Sequence, residues 1–559
     1  MPSPLPSPGG APDSRALLAV VSGRGGTAIV DGDSARVVPD GEAPAAVAAL
    51  PEGVRVVVWS AGRDLTHIVQ AGVHVPRLLD LAEAHRIGHG GWRADPGRVW
   101  ATARGLARNG IPVESAGDLF SALEDEPGDE DLLTPRGYLR ADAVTGTWLT
   151  TPARLVAWGR AALETAALVR ADLAALTPRA VALAHSESAA ALLCVELERD
   201  GLPVDRAVAE TLIRGAAGAR PRSAEEARGI RAERDARVLA HAPGHDTTDL
   251  RNPASVRALL CALGIEVETT RKWVLETYRD AHPVIPALLA WRADERIATT
   301  YGYAWLDAHV GADDRLRGAW SACDGAAGRM TAQNGLHNLP APMRPAVAAA
   351  AGWCFVRADL GQIEPRVLAV VAEDPLLAEA SAADDLYAPI AARLGAERAV
   401  AKVAVLAAMY GQRSGTAGRA LERLERAYPV AMGFLDRAYA AGVRGEDLRT
   451  VGGRRIRTSG IPNEGARGRY ARNALVQGAA AELFKAWAAT VRAALAGDEA
   501  QIVLCLHDEL LVHAPEADAA GVVAVVRQSL DDAARRWSGG SPVRFVADVR
   551  VVRRWSEAK

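Results

Sequence analysis

Cysteine is scarce in this 559-residue sequence, and its five copies are widely scattered. They are Cys194, Cys261, Cys323, Cys354 and Cys505. They form no CxxC pair and have no histidine nearby at metal-ligand spacing, so we expect neither a structural zinc site nor a disulfide framework. The sequence also has no repeat of fixed period, which argues against a solenoid.

Long apolar runs are missing as well, because no segment approaches the roughly 18 apolar residues that a membrane-spanning helix needs. Residues 1–13 are rich in Pro, Gly and Ser and contain no basic stretch followed by a long apolar one. This composition predicts a disordered lead over 1–15 and not a signal peptide. We therefore predict a cytoplasmic protein without a membrane partner.

Neither sign of charge dominates, because 65 basic and 68 acidic residues give a net charge of −3. Only local clusters of charge can therefore indicate a nucleic-acid partner. Apolar residues make up 49% and charged residues 24%, as in ordinary globular proteins of about two to four domains. Short apolar runs alternate with helical stretches over 16–175, helices dominate 179–301, and both kinds mix from 321 onward.

The most informative polar residue is Asp359, which follows the apolar stretch Trp353–Val356. The pattern predicts a buried strand and then a helix with Pro365 in its first turn. A carboxylate at the end of a buried strand is costly to desolvate unless a cation meets it. A metal ion, a basic side chain or a substrate can provide that charge, and Asp359 alone does not distinguish among them.

A second acidic element lies at 504–513, where apolar residues flank His507, Asp508 and Glu509. The pattern predicts a β-hairpin with Asp508 and Glu509 at its turn. An acidic hairpin tip is usually only solvated. Together with Asp359, however, Asp508 can form an oxygen-rich site at one sheet edge, of the kind that binds magnesium.

The segment 397–411 has a strongly helical composition and a helix stop at Gly411. Arg398, Lys402, Leu406 and Tyr410 follow one another at i+4 and form a stripe along one face. Two cations, an apolar residue and an aromatic ring suit a nucleotide lying along the helix, with its phosphates at the cations. For this segment alone, a surface helix with two solvated cations is the alternative.

Basic residues are concentrated between 449 and 473, where Glu464 is the only acid. The basic segment contains Arg449, Arg454, Arg455, Arg457, Arg467, Arg469 and Arg472. A local excess of positive charge suits a phosphate backbone, although a solvated loop can have the same composition.

Taken together and in this order, the motifs resemble those of family A DNA polymerases, the bacterial DNA polymerase I (Klenow-like) type. The resemblance runs from about residue 189 to the C-terminus. The matching segments are 359–366 (first palm motif), 398–411 (fingers helix), 506–509 (second palm motif), 328–331 with 336–340, 473–485, and 198–205 at the start of the thumb.

The resemblance implies an α/β and α+β multidomain fold, in which a degenerate RNase H-like exonuclease domain precedes a right-hand palm, fingers and thumb. The implied limits are 16–178 for the exonuclease-like domain, 179–318 for the thumb, and 319–559 for palm and fingers, with the fingers at about 373–465. The implied activity is template-directed DNA polymerisation in replication or repair. Its partners would be primer–template DNA and dNTPs. The protein would act as a monomer associated with the nucleoid. No 5′-nuclease domain is expected.

By motif position, Asp359 and Asp508 would hold two Mg²⁺ ions, with the Leu360 carbonyl oxygen as a further ligand. Lys402 would act with Asp359 and Asp508 in catalysis by protonating the leaving group. Glu364 would exclude a 2′-hydroxyl from the sugar site. The implied nucleotide contacts are Arg398, Lys402, Leu406, Tyr410, Glu364 and Gln362. The implied DNA contacts are Arg329, Asn338, Arg454, Arg455, Arg469, Asn473, Gln477, His507 and Glu509.

Three places depart from the family pattern. Leu406 and Ala407 stand where an aromatic residue and a glycine are usual, which predicts weaker stacking on the incoming nucleotide. Leu360 and Gly361 replace a usual Tyr-Ser pair, and Tyr387 replaces a usual histidine. None of these residues is a metal carboxylate, so we expect activity to be retained.

The implied exonuclease-like domain lacks most of the metal-binding pattern of a 3′–5′ proofreading enzyme. Its first strand, at 17–23, has no DxE, and 156–160 contains no Tyr or Asp. The acids that remain are Asp64, Asp80 and the YxxxD pair Tyr138 and Asp142. A two-metal site without its first carboxylate pair holds both ions poorly, so we expect no proofreading. A 3′–5′ exonuclease and a weakly catalytic DNA-end-binding homologue are the alternatives.

Overall fold

The computed structural model describes residues 16–32, 34–113, 128–333, 335–411 and 416–558, and the predicted lead over 1–15 lies outside them. The chain forms two compact units. The first comprises Met1–Asp200, Ala319–Ala332 and Val356–Val551, and the second comprises Gly201–Gly318, Gln333–Phe355 and Val552–Lys559. The domain limits inferred from the sequence stay a prediction, although residues 179–200, assigned there to the thumb, group here with the first unit.

A five-stranded sheet organises the N-terminal part of the first unit. Its strands are β1 (Leu17–Gly23), β2 (Gly26–Val30), β3 (Ala35–Val38), β4 (Arg55–Val58) and β5 (Leu78–Asp80), in the order β3-β2-β1-β4-β5. β1 is antiparallel to β2 and parallel to β4, and β4 is parallel to β5. Gly26 begins β2 at φ +113°, where an added Cβ atom would lie 2.5 Å from the Val38 carbonyl oxygen. Glycine alone fits this close turn.

Helices cover both faces of this sheet, which explains why its central strands are apolar throughout. They are α1 (Ala43–Ala48), α2 (Ala61–Asp64), α3 (Thr66–Gln70), α4 (Leu81–His89), α5 (Pro96–Ala103), α6 (Ala141–Thr145), α7 (Pro152–Leu176) and α8 (Ala180–Asp200). Val21 and Val57 belong to a core shared with α4 and α7. Val20 and Val58 belong to a core shared with α1, α2 and α3. The alternation along each strand therefore places two separate cores on the two faces.

Helix α8 runs through the interior of the first unit. Ala180 and Leu183 pack in a core of the N-terminal sheet, whereas Ala190 and Leu193 pack in the largest core of the unit. By length and a mean hydropathy of 1.4, α8 could cross a membrane, contrary to the expectation from the sequence. Because 72% of its apolar window is buried inside the fold, core packing accounts for that composition.

The second unit is mainly helical, in agreement with the pattern over 179–301. Its elements are β6 (Leu202–Pro203), α9 (Arg206–Ala217), α10 (Ala224–Leu239), α11 (Pro253–Ala262), α12 (Lys272–Thr277), α13 (Val284–Thr300), α14 (Tyr303–His309) and β7 (Arg315–Leu316). β6 pairs with β7 in antiparallel register. Val238, Leu260, Leu288 and Trp291 form a common core for α10, α11 and α13.

The elements that carry the acidic and basic motifs follow in the chain. They are β8 (Trp320–Ser321), β9 (Thr331–Ala332), β10 (Trp353–Leu360), α15 (Ile363–Val371), α16 (Pro375–Ala380), α17 (Tyr387–Leu394), α18 (Arg398–Tyr410), α19 (Thr416–Ala427), α20 (Pro429–Val443), β11 (Leu448–Arg449), β12 (Arg455–Ile456), α21 (Glu464–Ala494), β13 (Gln501–Leu506), β14 (Glu509–Pro515), α22 (Ala519–Ser538) and β15 (Ala547–Val552). Four of the strands form a sheet in the order β13-β14-β10-β15.

The predicted hairpin is confirmed, because β13 and β14 are antiparallel neighbours. Its two-residue turn is His507 and Asp508, while Glu509 already pairs with Leu506 in the ladder. The helix predicted over 397–411 is also confirmed as α18, and Gly411 ends it at φ +70°. Helix α21, capped by the Asn463 side chain, packs beside α18, α20 and α22. These elements position the acidic strand ends described next.

Candidate active site

Asp359 and Asp508 lie side by side at one end of the four-stranded sheet, as the sequence predicts. Asp359 is the penultimate residue of β10, and Asp508 is in the adjacent hairpin turn. The amide of Leu360 donates a hydrogen bond to the Asp508 carbonyl oxygen at 2.9 Å. This main-chain bond joins the two acidic segments directly.

The surroundings of the two carboxylates disfavour their ionised forms. Burial is the main reason that the pKa of Asp359 rises to about 6, and the Asp508 carboxylate adds to the rise. Burial likewise raises the pKa of Asp508. The Asp359 side chain nevertheless keeps 34% of its surface exposed. Two close carboxylates with accessible oxygens form a site that a cation would stabilise.

The donor set of this site fits magnesium. Mg²⁺ binds through one or two carboxylates and leaves its other positions to water and substrate phosphates. Asp359 and Asp508 offer such a pair, and the predicted third ligand, the Leu360 carbonyl oxygen, belongs to the same strand end. Among the described residues, no cluster of three or more His, Cys, Asp or Glu side chains suited to a metal is found.

Sequence reasoning missed Arg357, which also belongs to this site. Its guanidinium group contacts Asp359 at 2.5 Å, Glu509 at 3.0 Å and Asp548 at 3.6 Å. Only 4% of the Arg357 side chain is exposed. A lone arginine inside the apolar strand at 353–358 was the available signal, because a buried guanidinium needs acidic partners.

Gly361 explains one of the departures from the family pattern. Its amide donates to the Val546 carbonyl oxygen at 2.9 Å. A Cβ atom at Gly361 would lie 3.1 Å from a methyl carbon of Val546. The close approach of the chain before β15 to the end of β10 therefore favours glycine, and β10 reaches α15 through Gln362 at φ +55°. Such backbone strain is tolerated where the surrounding structure fixes it.

The predicted nucleotide stripe lies along α18 as expected. Arg398, Lys402 and Tyr410 are exposed, whereas Leu406 is half-buried against the core. Arg398 forms an ion pair with Asp385. Both cations of the stripe are thus at the surface, although one of them already has an acidic partner.

The Asp385 carboxylate also connects the stripe to Gln362. The Gln362 side-chain amide donates to Asp385 at 2.9 Å, and its oxygen accepts from the Leu386 amide at 2.8 Å. Both polar ends of Gln362 are therefore used within the protein. These bonds hold the start of α15 against the segment that precedes α17.

Four predicted nucleotide and DNA contacts meet between α15, α18 and α21. The side chain of Gln477 lies beside Glu364, and that of Asn473 lies beside the Tyr410 hydroxyl. Burial raises the pKa of Glu364, while Gln477 and the charge of Arg329 oppose that rise. The motifs thus converge as the resemblance implied, although the residues' roles remain predictions.

Three other predicted DNA contacts have different surroundings. His507 lies at the hairpin turn, and partial burial of its ring together with the charge of Arg329 lowers its pKa. Glu509 is buried and bound to Arg357, which argues against direct contact with DNA. Asn338 lies in the second unit, where its carbonyl oxygen accepts from Arg296 at 2.8 Å.

The basic segment is not uniformly available to a ligand. Arg454 is buried, with 2% of its side chain exposed, and is paired with Glu187 of α8. This burial corrects the expectation that Arg454 contacts DNA, because its guanidinium group does not reach the surface. Arg455 is half-exposed and paired with Asp447 at 2.8 Å, whereas Arg469 is exposed beside Gly411. A pattern of charge in the sequence could not separate these environments.

The acids of the N-terminal sheet do not form a comparable site. The carboxylate of Asp64 accepts hydrogen bonds from the amides of Trp59, Ser60 and Ser22 at 2.8, 3.4 and 3.3 Å. The carboxylate of Asp80 accepts from the amides of Ala61 and Glu83 at 2.7 and 3.0 Å. Both aspartates are at most 1% exposed. Their carboxylate oxygens accept hydrogen bonds from backbone amides and are not accessible to solvent.

The contacts given below for the YxxxD pair, Tyr138 and Asp142, do not involve Asp64 or Asp80. The Tyr138 hydroxyl donates to the Ala107 carbonyl oxygen at 2.9 Å, and Asp142 is paired with Arg140. At the end of β1, Gly23 is packed so closely that a Cβ atom there would lie 2.6 Å from the Cβ of Leu149. Side-chain packing thus occupies this end of the sheet.

The fold resembles that of a known polymerase domain over nearly its whole length. The polymerase domain of Pol1 from M. smegmatis, solved in complex with DNA primer-template and dNTP, matches with a TM-score of 0.69. The match covers 98% of this chain and 96% of that one at 21% sequence identity. At this identity the likeness concerns the fold, which is that of a polymerase domain.

Sequence comparisons agree with the fold. DNA polymerase I of Chloroflexus aurantiacus is 31% identical over 297 residues, which are 47% of this chain and 31% of that protein. DNA polymerase I of Deinococcus radiodurans is 27% identical over 294 residues, 46% of this chain and 30% of that protein. The matched part is thus about a third of the length of these curated relatives. The pattern that defines DNA polymerase family A matches residues 253–557, more than half of the chain. The chain belongs to DNA polymerase family A.

Proposed function

We propose that the chain is a template-directed DNA polymerase that adds dNTPs to a primer 3′-hydroxyl by nucleotidyl transfer. The observation that carries the proposal is the meeting of Asp359 and Asp508, from distant parts of the sequence, at one sheet end. Membership of family A, relatives named DNA polymerase I, and the likeness to a domain solved with primer-template and dNTP support it.

In this proposal Asp359, Asp508 and the Leu360 carbonyl oxygen hold two magnesium ions. When bound, the metal supplies positive charge that eases ionisation of the primer hydroxyl and neutralises the leaving pyrophosphate. Arg398 and Lys402, both exposed on α18, bind the triphosphate, and Lys402 gives a proton to the leaving group. Arg398 exchanges Asp385 for a phosphate when the nucleotide binds.

The residues between α15 and α21 recognise sugar and base in the same proposal. Glu364, which lies beside Gln477, fills the space that a 2′-hydroxyl would need. Tyr410, which lies beside Asn473, stands at the templating position. The primer–template contacts are Arg329, Arg469, Asn473, Gln477 and His507. Leu406 provides an apolar wall with less stacking area than an aromatic ring.

For the N-terminal part we propose an exonuclease-like domain without proofreading. The mixed sheet in the order β3-β2-β1-β4-β5, covered by helices on both faces, is compatible with the RNase H-like fold. The engagement of Asp64 and Asp80 with backbone amides supports the loss of catalysis. The polymerase then works as a monomer on nucleoid DNA in the cytoplasm, in replication or repair.

Primer extension tests the main proposal. A labelled primer annealed to a longer template is incubated with dNTPs, Mg²⁺ and the wild-type chain, Asp359→Ala, or Asp531→Ala as an exposed acidic control. We expect extension by the wild type and the control, and none by Asp359→Ala. Absence of extension by the wild type, or undiminished extension by Asp359→Ala, would overturn the polymerase proposal and favour a DNA-end-binding homologue.

Incubation of the same primer–template without dNTPs tests the N-terminal proposal. We expect the primer 3′ end to stay intact, because the closed carboxylates of the N-terminal sheet cannot hold metal. Stepwise shortening of the primer that Asp80→Ala abolishes would instead identify an active 3′–5′ exonuclease.

A further inference from the structure

Arg357 is a buried cation built into the strand that carries the proposed metal ligand Asp359. The two residues are two apart on β10, so their side chains leave the same face of the sheet. Only 4% of the Arg357 side chain is exposed. A guanidinium group keeps its charge under all ordinary conditions, so this site contains a permanent positive charge before any metal arrives.

Three carboxylates share this one guanidinium group. Nη2 contacts Asp359 at 2.5 Å, Nε contacts Glu509 at 3.0 Å, and Nη1 contacts Asp548 at 3.6 Å. Glu509 is almost as buried as Arg357, with 9% of its side chain exposed, whereas Asp548 is 51% exposed. The pairing with Glu509 therefore fixes the position of Arg357, and the Nη2 atom of Arg357 reaches the partly exposed carboxylate of Asp359.

We infer that Arg357 is an internal counter-cation that occupies Asp359 in the metal-free protein and weakens the binding of free divalent cations there. The inference rests on the proposed function only in taking Asp359 and Asp508 as the metal ligands. Arg357 acts through Asp359 and is a positioning residue, because it neutralises and orients that carboxylate without touching substrate.

Two physical effects weaken the binding of free divalent cations at Asp359. A fixed positive charge close to the ligands repels a divalent cation, and the repulsion is poorly screened in a partly buried site. A cation must also share or displace the Nη2 contact on Asp359. Nucleotide phosphates would bring additional oxygen ligands to the metal. The site thus favours metal that arrives with a nucleotide over free metal.

Direct metal binding tests this inference without requiring catalysis. Free Mn²⁺ is titrated by electron paramagnetic resonance against wild type and Arg357→Gln, in the absence of DNA and nucleotide. Asp359→Asn/Asp508→Asn identifies the component that belongs to this site. We expect Arg357→Gln to bind Mn²⁺ at this site about tenfold more tightly than wild type. Arg357→Lys, which keeps the charge, should stay close to wild type.

Arg550→Gln is the matched control, because Arg550 is an exposed arginine of β15 that contacts Asp548 at 3.1 Å. Its removal should leave Mn²⁺ affinity unchanged. If Arg357→Gln unfolds because Glu509 loses its buried partner, Arg357→Gln/Glu509→Gln is compared with Glu509→Gln alone, so that only the arginine differs, and it should bind Mn²⁺ more tightly than Glu509→Gln. Unchanged or weaker Mn²⁺ binding in the folded variant would overturn the inference. If Arg357→Gln shows this gain in Mn²⁺ affinity but the wild-type chain extends no primer, the proposed function is refuted while the inference about Arg357 stands.

Discussion

Two sheets of the first unit end in aspartates, and the two ends differ in what their carboxylates touch. Asp359, the penultimate residue of β10, has a pKa raised to about 6, and Asp80, the last residue of β5, has a pKa raised to about 7. Burial is the main cause in both places. The oxygens of Asp80 accept hydrogen bonds from backbone amides, whereas about a third of the Asp359 side chain is exposed.

The difference teaches that a raised pKa reports burial and not function. Burial also raises the pKa of Asp64 to about 6, as it does for Asp359. The Asp64 carboxylate, however, accepts hydrogen bonds from three backbone amides and is not accessible to solvent. Accessible oxygens opposite a second acidic segment distinguish the candidate active site. Substitutions at the two sheet ends should therefore separate an accessible carboxylate from a closed one.

Replacement of Asp508 by Asn should lower the rate of primer extension by about a thousandfold or more, because the metal site loses a charged ligand. Asp64→Asn should extend primers at the wild-type rate. Single-turnover extension measures both. The comparison fails if Asp64→Asn is as inactive as Asp508→Asn, since its carboxylate would then serve more than the fold.

Asp64→Ala should lower the free energy of unfolding by roughly 2–4 kcal/mol, because three backbone amides lose their buried acceptor. Urea unfolding followed by circular dichroism gives the value. Glu499→Ala, at an exposed acid, should change it by no more than about 0.5 kcal/mol. Equal stability of the two variants would show that the hydrogen bonds of Asp64 are not structural.

Glu364→Ala should raise ribonucleotide incorporation relative to deoxynucleotide incorporation by about tenfold or more. Glu364 lies between these two cases, since burial raises the pKa of its carboxyl group while neighbouring Gln477 and the charge of Arg329 lower it. The ratio of kcat/KM for the two nucleotides measures the effect. Glu364→Gln keeps the volume and should discriminate nearly as the wild type does. An unchanged ratio in Glu364→Ala would place the sugar gate elsewhere.

Asp80→Asn should flatten the dependence of stability on pH. The folded-state pKa of about 7 lies above the ordinary value of 3.8, so the folded chain holds a proton that the unfolded chain has lost. This stabilisation is complete below about pH 4 and is lost as pH rises toward 7, with a slope of at most about 1.4 kcal/mol per pH unit. Tm between pH 4 and 7 should therefore fall less in Asp80→Asn than in the wild type. Parallel curves would contradict the raised pKa.

The parts of the site that could be predicted follow local rules. The apolar strand before Asp359 and the hairpin tip at Asp508 have distinct periodic patterns, and each pattern is recognisable without the knowledge that the two segments meet. Helix α18 was expected because its composition is helical and Gly411 can adopt the left-handed backbone conformation that ends it. Ordered motifs then indicated which segments meet.

The parts that could not be predicted depend on contacts between distant segments. Arg454 looked like its neighbour Arg455, but Glu187 of α8 draws only Arg454 into the interior. The partners of Arg357 come from β14 and β15, which no local pattern joins to β10. Burial of a charge is decided by which acid packs opposite it, and composition within a short window contains no such information.

Helix α8 has a consequence for how the chain can be divided. Its Ala180 and Leu183 complete a core of the N-terminal sheet, and its Ala190 and Leu193 complete the core beneath the candidate active site. A version of the chain trimmed to begin after α7 would expose Leu183 to water. The N-terminal region therefore covers the apolar surface at one end of a helix whose other end packs beneath the candidate active site.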